Sequence, residues 1–188
     1  MAKSEKQKLK LLYIIQCLME KTDEEHAVTT QEIIDYLALQ GITAERKSIY
    51  TDIDLLTDFG MDIIKKPGRS GGYTLASRQF ELAELKLLVD AVQSSKFITT
   101  KKSRELIGKL ETLCSKYEAT QLHRQVVVTN RNKAVNENIY YNVDIIYNAI
   151  AENVKIQFQY FEWDVNKEMH LRRNGKVYEV SPWLLTWD

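Results

Sequence analysis

Apolar residues recur at helical spacing in three successive segments of the first sixty residues. Their apolar positions are Leu11, Ile14, Ile15, Leu18 and Met19, then Ile33, Ile34 and Leu37, then Ile49, Ile53 and Leu56. This spacing predicts three amphipathic helices. Thr29 and Glu32 have the spacing of a capping box at the start of the second helix, and Gly41 ends it. Thr43 is the expected N-cap of the third helix, which runs to Phe59–Gly60.

The pattern changes from helical to extended after Gly60. Residues 61–66 predict a strand, Pro67–Gly72 a tight turn and Tyr73–Leu75 a returning strand. Three helices, the last two joined by a very short connection, followed by a basic hairpin have the order of a winged helix-turn-helix domain. The Gly-rich turn lacks the Gly-Lys-Ser/Thr ending and the following helix of a phosphate-binding loop, which argues against a nucleotide site.

Two more helical stripes follow the hairpin. Their apolar positions are Leu82, Leu85, Val89 and Val92, then Leu106, Ile107, Leu110, Leu113 and Tyr117. They predict two helices within residues 80–118, with Thr99 or Thr100 as a cap between them. The polar, basic stretch 121–138 predicts a partly ordered linker.

Short strands are predicted near the end of the chain. A short helix over 143–151 precedes the alternation of apolar and polar residues over 154–160, which is the period of a half-buried strand. Asn174–Gly175 is a strong signal for a hairpin turn before the strand pattern of 177–185. The predicted fold class is therefore mainly α with small β, in the general α+β class.

The predicted elements divide the chain into three parts. A winged helix-turn-helix domain covers residues 1–77, a helical linker covers 78–138, and a further domain covers 139–188. A DNA site bound by a symmetric dimer requires protein surface that sets its half-site spacing, so the helices of 78–138 are the candidate dimerisation segment.

Composition and charge narrow the function classes. The chain has 188 residues with 26 Lys and Arg against 26 Asp and Glu, so net charge neither favours nor excludes nucleic-acid binding. Absence of a long apolar run and of a signal peptide predicts a cytoplasmic protein. Cys17 and Cys114 are expected to be reduced and buried. His26, His123 and His170 are scattered without catalytic or metal-ligand spacing, so we expect neither an enzyme nor a metal or other cofactor.

Exposed cations and hydroxyls of the third helix and the hairpin are the candidate DNA contacts. These residues are Arg46, Lys47, Ser48, Tyr50 and Thr51 on the helix, and Lys65, Lys66 and Arg69 on the hairpin. The helix residues are expected to meet base edges or adjacent phosphates, and the hairpin cations are expected to bind backbone phosphates. The outer face of the helix becomes acidic towards its C-terminus, at Asp54 and Asp58, so its first turns are predicted to enter the major groove.

Two alternatives remain open. The hairpin charges could form a solvated turn, and the domain could bind a protein partner instead of DNA. Residues 1–77 carry ten basic and twelve acidic residues, which is unusual for a DNA-binding domain.

The stretch Glu45–Leu56, followed by Phe59–Gly60 and the hairpin, resembles the winged helix-turn-helix domain of bacterial WYL-domain transcriptional regulators, which is of the biotin-repressor type. These proteins typically carry Arg-Thr-Ile-Tyr-Arg-Asp in this helix, which aligns with 47–52. The resemblance implies sequence-specific binding of double-stranded DNA, and we expect the protein to bind as a homodimer. Lys47 keeps the charge of the family arginine without its bidentate fork, and Thr51 loses the charge, so the operator sequence cannot be transferred.

The end of the chain, from Ala149–Ile150 to the Ser-Pro-Trp-Leu-Leu of 181–185, resembles the opening of the WYL domain, a small Sm-like β-barrel that senses a ligand or nucleic-acid effector. The naming tripeptide is absent and would be expected a few residues after Asp188. We therefore expect the chain to end inside that domain, the alternative being completion of its strands by a second copy. The candidate effector-binding residues are Arg172, Arg173 and Tyr178, which takes the place of a family arginine.

Overall fold

The structure, a computed structural model, describes residues 5–68, 71–123, 133, 138–166 and 168–186. The α-helices are α1 (Lys10–Lys21), α2 (Thr30–Leu39), α3 (Arg46–Asp58), α4 (Leu82–Ser94), α5 (Thr100–Glu111), α6 (Lys116–His123) and α7 (Ile139–Ala151). The strands are β1 (Ile63–Lys65), β2 (Tyr73–Leu75), β3 (Ile156–Gln159), β4 (Phe161–Trp163), β5 (Met169–Leu171) and β6 (Val177–Val180). Helices with small antiparallel sheets confirm the general α+β class.

The chain forms two compact units. The first contains residues 1–96 and 100–132, and the second contains residues 97–99 and 133–188. Within the described residues, each helix is too short or too polar to cross a lipid bilayer.

Helices α1 to α3 and the hairpin β1–β2 enclose one hydrophobic core in the first unit. Its buried residues are Ile14, Cys17, Leu18, Val28, Ile33, Tyr36, Leu37, Ile42, Ile49, Ile53, Leu56, Tyr73 and Leu75. The predicted capping box is confirmed, because the Thr29 hydroxyl accepts from the Glu32 amide and the Glu32 carboxylate accepts from the Thr29 amide. The prediction for the start of α3 was wrong. Glu45 occupies the N-cap without a side-chain capping bond, while Thr43 lies earlier in the connection.

The predicted hairpin is confirmed. Strands β1 and β2 are antiparallel, with Ile63 opposite Leu75 and Lys65 opposite Tyr73. Val28 forms an antiparallel β-bridge with Tyr73. The Val28 amide donates to the Tyr73 carbonyl at 3.0 Å, and the Tyr73 amide donates to the Val28 carbonyl at 2.8 Å. A Cβ at Gly72 would lie 2.3 Å from the Val28 carbonyl oxygen, so this close approach requires glycine.

The described residues 76–123 contain three helices instead of the predicted two. Helix α5 ends at Glu111, and α6 begins at Lys116, so Tyr117 belongs to a separate helix from the stripe it was predicted to extend. Helices α4 to α6 share a second cluster, whose buried residues are Leu85, Val89, Ile107, Cys114 and Leu122. Cys17 and Cys114 are free and buried, as expected, and burial raises the pKa of each thiol to about 11.

The second unit contains α7 and a long antiparallel hairpin with an irregular middle. Strand β3 pairs with β6, and β4 pairs with β5. The prediction of a hairpin turn at Asn174–Gly175 was wrong. The chain reverses at Asp164, whose Oδ1 accepts from the Asn166 and Glu168 amides. Asn174–Gly175 lies in a one-turn irregularity between β5 and β6, where positive φ angles favour these two residue types.

Candidate nucleic-acid interface

Helix α3 has one face in the core and one in solvent. Ile49, Ile53 and Leu56 are buried against α1, α2 and the hairpin. Four of the predicted DNA contacts, Arg46, Lys47, Tyr50 and Thr51, are exposed together on the N-terminal half. The hydroxyl of Thr51 donates to the Lys47 carbonyl at 3.3 Å, so its oxygen remains an acceptor at the surface.

Ser48 differs from these four residues because it is half-buried and has a partner. The ammonium group of Lys10, at the start of α1, donates to Ser48 Oγ at 2.5 Å. The same ammonium lies 2.6 Å from Asp52 Oδ2, one turn further along α3. Both charged side chains are largely enclosed, with 14% of Lys10 and 10% of Asp52 exposed. Local sequence patterns carry no signal for this bridge, since Lys10 and Ser48 are 38 positions apart.

The two adjacent lysines of the hairpin, Lys65 at the end of β1 and Lys66 directly after it, have different surroundings. Lys65 is exposed on the α3 side, with its Nζ 5.8 Å from the Tyr50 ring centroid. Lys66 is half-buried, and its ammonium donates to the Glu24 carbonyl at 2.5 Å. Arg69, the third predicted hairpin cation, lies outside the described residues, as do Arg124 and Arg131 of the predicted linker.

A groove of about 530 Å³ separates α3 from the hairpin. Tyr50, Asp54, Asp58, Lys65 and Tyr73 contribute to its lining. The exposed carboxylates make the C-terminal half of α3 acidic. Burial raises the pKa of Tyr73 above its ordinary value of 10.0.

A polar network joins the α1–α2 connection to the start of α6. Asp23 is its centre, with Oδ2 accepting from the Ser115 hydroxyl at 2.6 Å and Oδ1 lying 2.7 Å from His26 Nδ1. The His26 ring stacks on Tyr117 with 3.7 Å between centroids. Burial raises the pKa of Asp23, but the hydrogen bonds from Ser115, His26 and backbone amides outweigh it, and the pKa lies below its ordinary value. Sequence reasoning missed this network, because Asp23 and Ser115 are 92 positions apart.

A second groove, of about 950 Å³, lies between the hairpin and helices α4 and α6. Thr74 and Arg78 line it, and each has one buried polar atom, Oγ1 and Nη1, that makes no hydrogen bond among the described residues. The other end of the Arg78 guanidinium holds α1, because Nη2 donates to the Met19 carbonyl at 2.9 Å.

Two of the three predicted effector-binding residues, Arg172 and Tyr178, have side-chain neighbours in the second unit. Arg172 Nε lies 2.9 Å from Glu162 Oε1 in an exposed ion pair. Arg173 is exposed and has a φ of 50°. Tyr178 packs beside Phe158 and Tyr160, with ring centroids 5.9 and 5.2 Å away.

One group of side chains in the described part of the chain has ligand atoms close enough to hold a metal ion. Asp164, Glu168 and His170 place these atoms within 4.8 Å of one another at the turn between β4 and β5. The Asp164 carboxylate already accepts hydrogen bonds from the Asn166 and Glu168 amides, and its Oδ2 lies 3.2 Å from His170 Nε2. These backbone bonds lower the pKa of Asp164, and they explain the arrangement as support for the turn.

Comparison of the chain with models of protein families, with curated proteins and with solved structures gave no match.

Proposed function

We propose that the protein is a transcriptional regulator of the WYL type that binds double-stranded DNA through a winged helix-turn-helix domain over residues 1–77. The supporting observation is the exposed N-terminal half of α3, where cations and hydroxyls lie together beside the outward lysine of the hairpin. No comparable cationic surface lies on the C-terminal half of this helix, which exposes Asp54 and Asp58.

The chemistry of this surface suits entry of the first turns of α3 into a major groove. Arg46 can donate two parallel hydrogen bonds to guanine or phosphate, and Lys47 supplies a point charge. The first backbone amides of α3 have no side-chain cap, since Glu45 makes no capping bond, and such amides favour a phosphate. Lys65 extends the cationic surface towards the DNA backbone.

Selection of bound fragments from random double-stranded DNA by the full chain tests this function. Enrichment of a short motif is expected, and a palindromic motif would indicate a symmetric dimer. The variant R46Q/K47Q should retain no enriched motif. The matched control K101Q/R104Q removes the same charge from the exposed surface of α5 and should select the wild-type motif. Equal loss in both variants would show a nonspecific charge effect and contradict the assignment of α3.

A protein-binding module is the second candidate function, and the acidic groove beside α3 favours it. Asp54 and Asp58 line this groove together with Tyr50 and Tyr73, which suits a basic peptide segment. The variant D54N/D58N separates the two functions. A DNA-binding domain should bind its duplex more tightly after losing two negative charges near the phosphates. A protein-binding module should show no DNA affinity in either form.

We also propose that a second copy docks on helices α4 to α6, within the predicted segment 78–138. Leu87 on α4 is 71% exposed, and Leu88 beside it is 37% exposed. Sedimentation at micromolar concentration should give a dimer, and Leu87→Glu should give a monomer. A wild-type monomer would remove this proposal.

The second unit is proposed to belong to an effector-sensing WYL domain. Phe158 on β3, Tyr160 directly after β3 and Tyr178 on β6 form an aromatic cluster that suits a flat ligand. Arg173, which is exposed, and Arg172, on leaving its ion pair with Glu162, would supply charge for an anionic group. If the unit senses an effector, addition of that effector should change the affinity of the protein for DNA. The variant Tyr178→Ala should show no such change.

A further inference from the structure

We infer that Lys10, which lies outside the proposed recognition helix, is a positioning residue that makes Ser48 a hydrogen-bond donor to a DNA phosphate. This inference rests on the DNA-binding function proposed above and goes beyond it by assigning a role to a residue on α1. It also states the kind of DNA atom that Ser48 contacts.

The bridge joins two helices at one point. Lys10 Nζ lies 2.5 Å from Ser48 Oγ and 2.6 Å from Asp52 Oδ2. Because Asp52 is buried within α3 and Lys10 begins α1, the ammonium group fixes the N-terminal half of α3 against α1. The exposed residues Lys47 and Thr51 lie on the adjoining surface of the same two turns.

The direction of the hydrogen bond follows from the chemistry of an ammonium group, which has three donors and no acceptor. Ser48 Oγ must therefore accept from Lys10, and its own O–H is left to donate elsewhere. A hydroxyl that accepts from a charged donor becomes a stronger donor itself. The strongest acceptors on duplex DNA are the phosphate oxygens, so a phosphate is the partner that this polarity favours.

The bridge also removes an electrostatic penalty. An unpaired Asp52 would place a buried negative charge directly beneath the surface that meets DNA. Pairing with Lys10 at 2.6 Å neutralises that charge. The two effects act together, because one ammonium group performs both.

Affinity for the selected duplex, measured by fluorescence anisotropy, tests the inference. Ser48→Ala should weaken binding about tenfold, the loss of one hydrogen bond to a charged group, and Lys10→Met should weaken it at least as much, because it also leaves the Asp52 charge unpaired. Together they should weaken it no more than Lys10→Met alone, because both remove the same Ser48 contact. The matched control is Lys8→Met, which removes an exposed lysine from the preceding turn and should stay within about twofold of wild type.

A second variant separates the effect of losing the bridge on DNA affinity from its effect on folding stability. Lys10→Met alone leaves a buried carboxylate without its partner, whereas Lys10→Met with Asp52→Leu replaces the whole pair by apolar side chains and should melt at or above the wild-type temperature. This folded double variant should bind the duplex as weakly as Ser48→Ala. Wild-type affinity in it would overturn the inference.

A duplex with a single neutral methylphosphonate, moved along the site, gives the most specific readout. One position should weaken the wild type about tenfold and should have no further effect on Ser48→Ala or on the apolar double variant. A stabilising role alone would not move this pattern, so equal sensitivity in all three proteins would overturn the inference while leaving DNA binding intact. Failure of the wild type to retain any duplex at low salt would instead overturn the proposed function and the inference with it.

Discussion

The hairpin β1–β2 lies on a closed core, whereas the hairpin of the second unit exposes most of its strand residues. All three residues of β2 are buried, while each residue of β4 and β5 is exposed. The core beneath the first hairpin holds thirteen buried residues, so the surface of α3 and β1 is held in place by packing. In the second unit the aromatic side chains themselves form the surface. The first region is therefore suited to presenting fixed polar groups, and the second to contact through rings.

Two aspartates sharpen this comparison, because each supports a turn in the same way. Asp23 accepts two backbone amides and contacts His26, and Asp164 accepts two backbone amides and contacts His170. Asp23 is buried and also binds Ser115, whereas Asp164 is partly exposed at the tip of its hairpin. The same local motif thus holds two helical segments together in one region and a single turn in the other.

The largest expected effect comes from opening the core beneath α3. Ile49→Ala should lower the free energy of unfolding of the first unit by about 3 kcal/mol, because Ile49 is fully buried. The matched change Ile145→Ala, at a residue of α7 that is 58% exposed, should lower the free energy of unfolding by less than about 0.5 kcal/mol.

Two optical probes separate the regions in this experiment. All three tryptophans belong to residues 133–188, so their fluorescence reports the second unit, while far-ultraviolet circular dichroism reports mainly the helices. Ile49→Ala should shift the dichroism midpoint in urea. Equal shifts for the two isoleucine variants would show that the contrast in packing is absent.

The next effect comes from the buried aspartate. Asp23→Ala should lower the free energy of unfolding by about 2 kcal/mol, because it leaves the Ser115 hydroxyl and two backbone amides without their acceptor. Asp164→Ala should cost clearly less, since its donors can bond to water. Urea denaturation of both variants measures the difference, and a larger loss for Asp164→Ala would reverse the comparison.

Acid should remove part of the stability that Asp23 supplies. Its folded pKa lies below the ordinary value of 3.8, so the stabilisation is present above that pH and is lost as the pH falls through the folded pKa. The difference in unfolding free energy between wild type and Asp23→Asn should therefore shrink between pH 6 and pH 3. A difference that grows as the pH falls would contradict the assigned hydrogen bonds.

The smallest effect distinguishes the two hairpin lysines. Lys65→Ala should reduce the slope of log affinity against log salt by about one, the loss of one phosphate contact. Lys66→Ala should leave the slope unchanged, because its ammonium is bonded to the Glu24 carbonyl. Anisotropy titrations at several salt concentrations give both slopes, and identical reductions would show that Lys66 leaves its carbonyl to bind DNA.

Periodicity predicted the helices of the first region well, since burial of Ile14, Ile33 and Ile49 is a local property of each segment. It failed where a residue's role depends on a distant partner. Ser48 was predicted as a surface contact, but its pairing with Lys10 arises only when α1 and α3 pack. Turn signals likewise failed at Asn174–Gly175, because residues with positive φ also occur in irregularities within a hairpin.

Backbone amide chemical shifts of the 15N-labelled full chain, recorded during titration with the selected duplex, test the central claim most directly. Shifts are expected at 46–51 and at 63–66, where the exposed half of α3 and the hairpin carry the proposed contacts. The amide chemical shifts of 156–180 should not change. Shifts confined to 156–180, or an unchanged spectrum at low salt, would contradict DNA binding by α3.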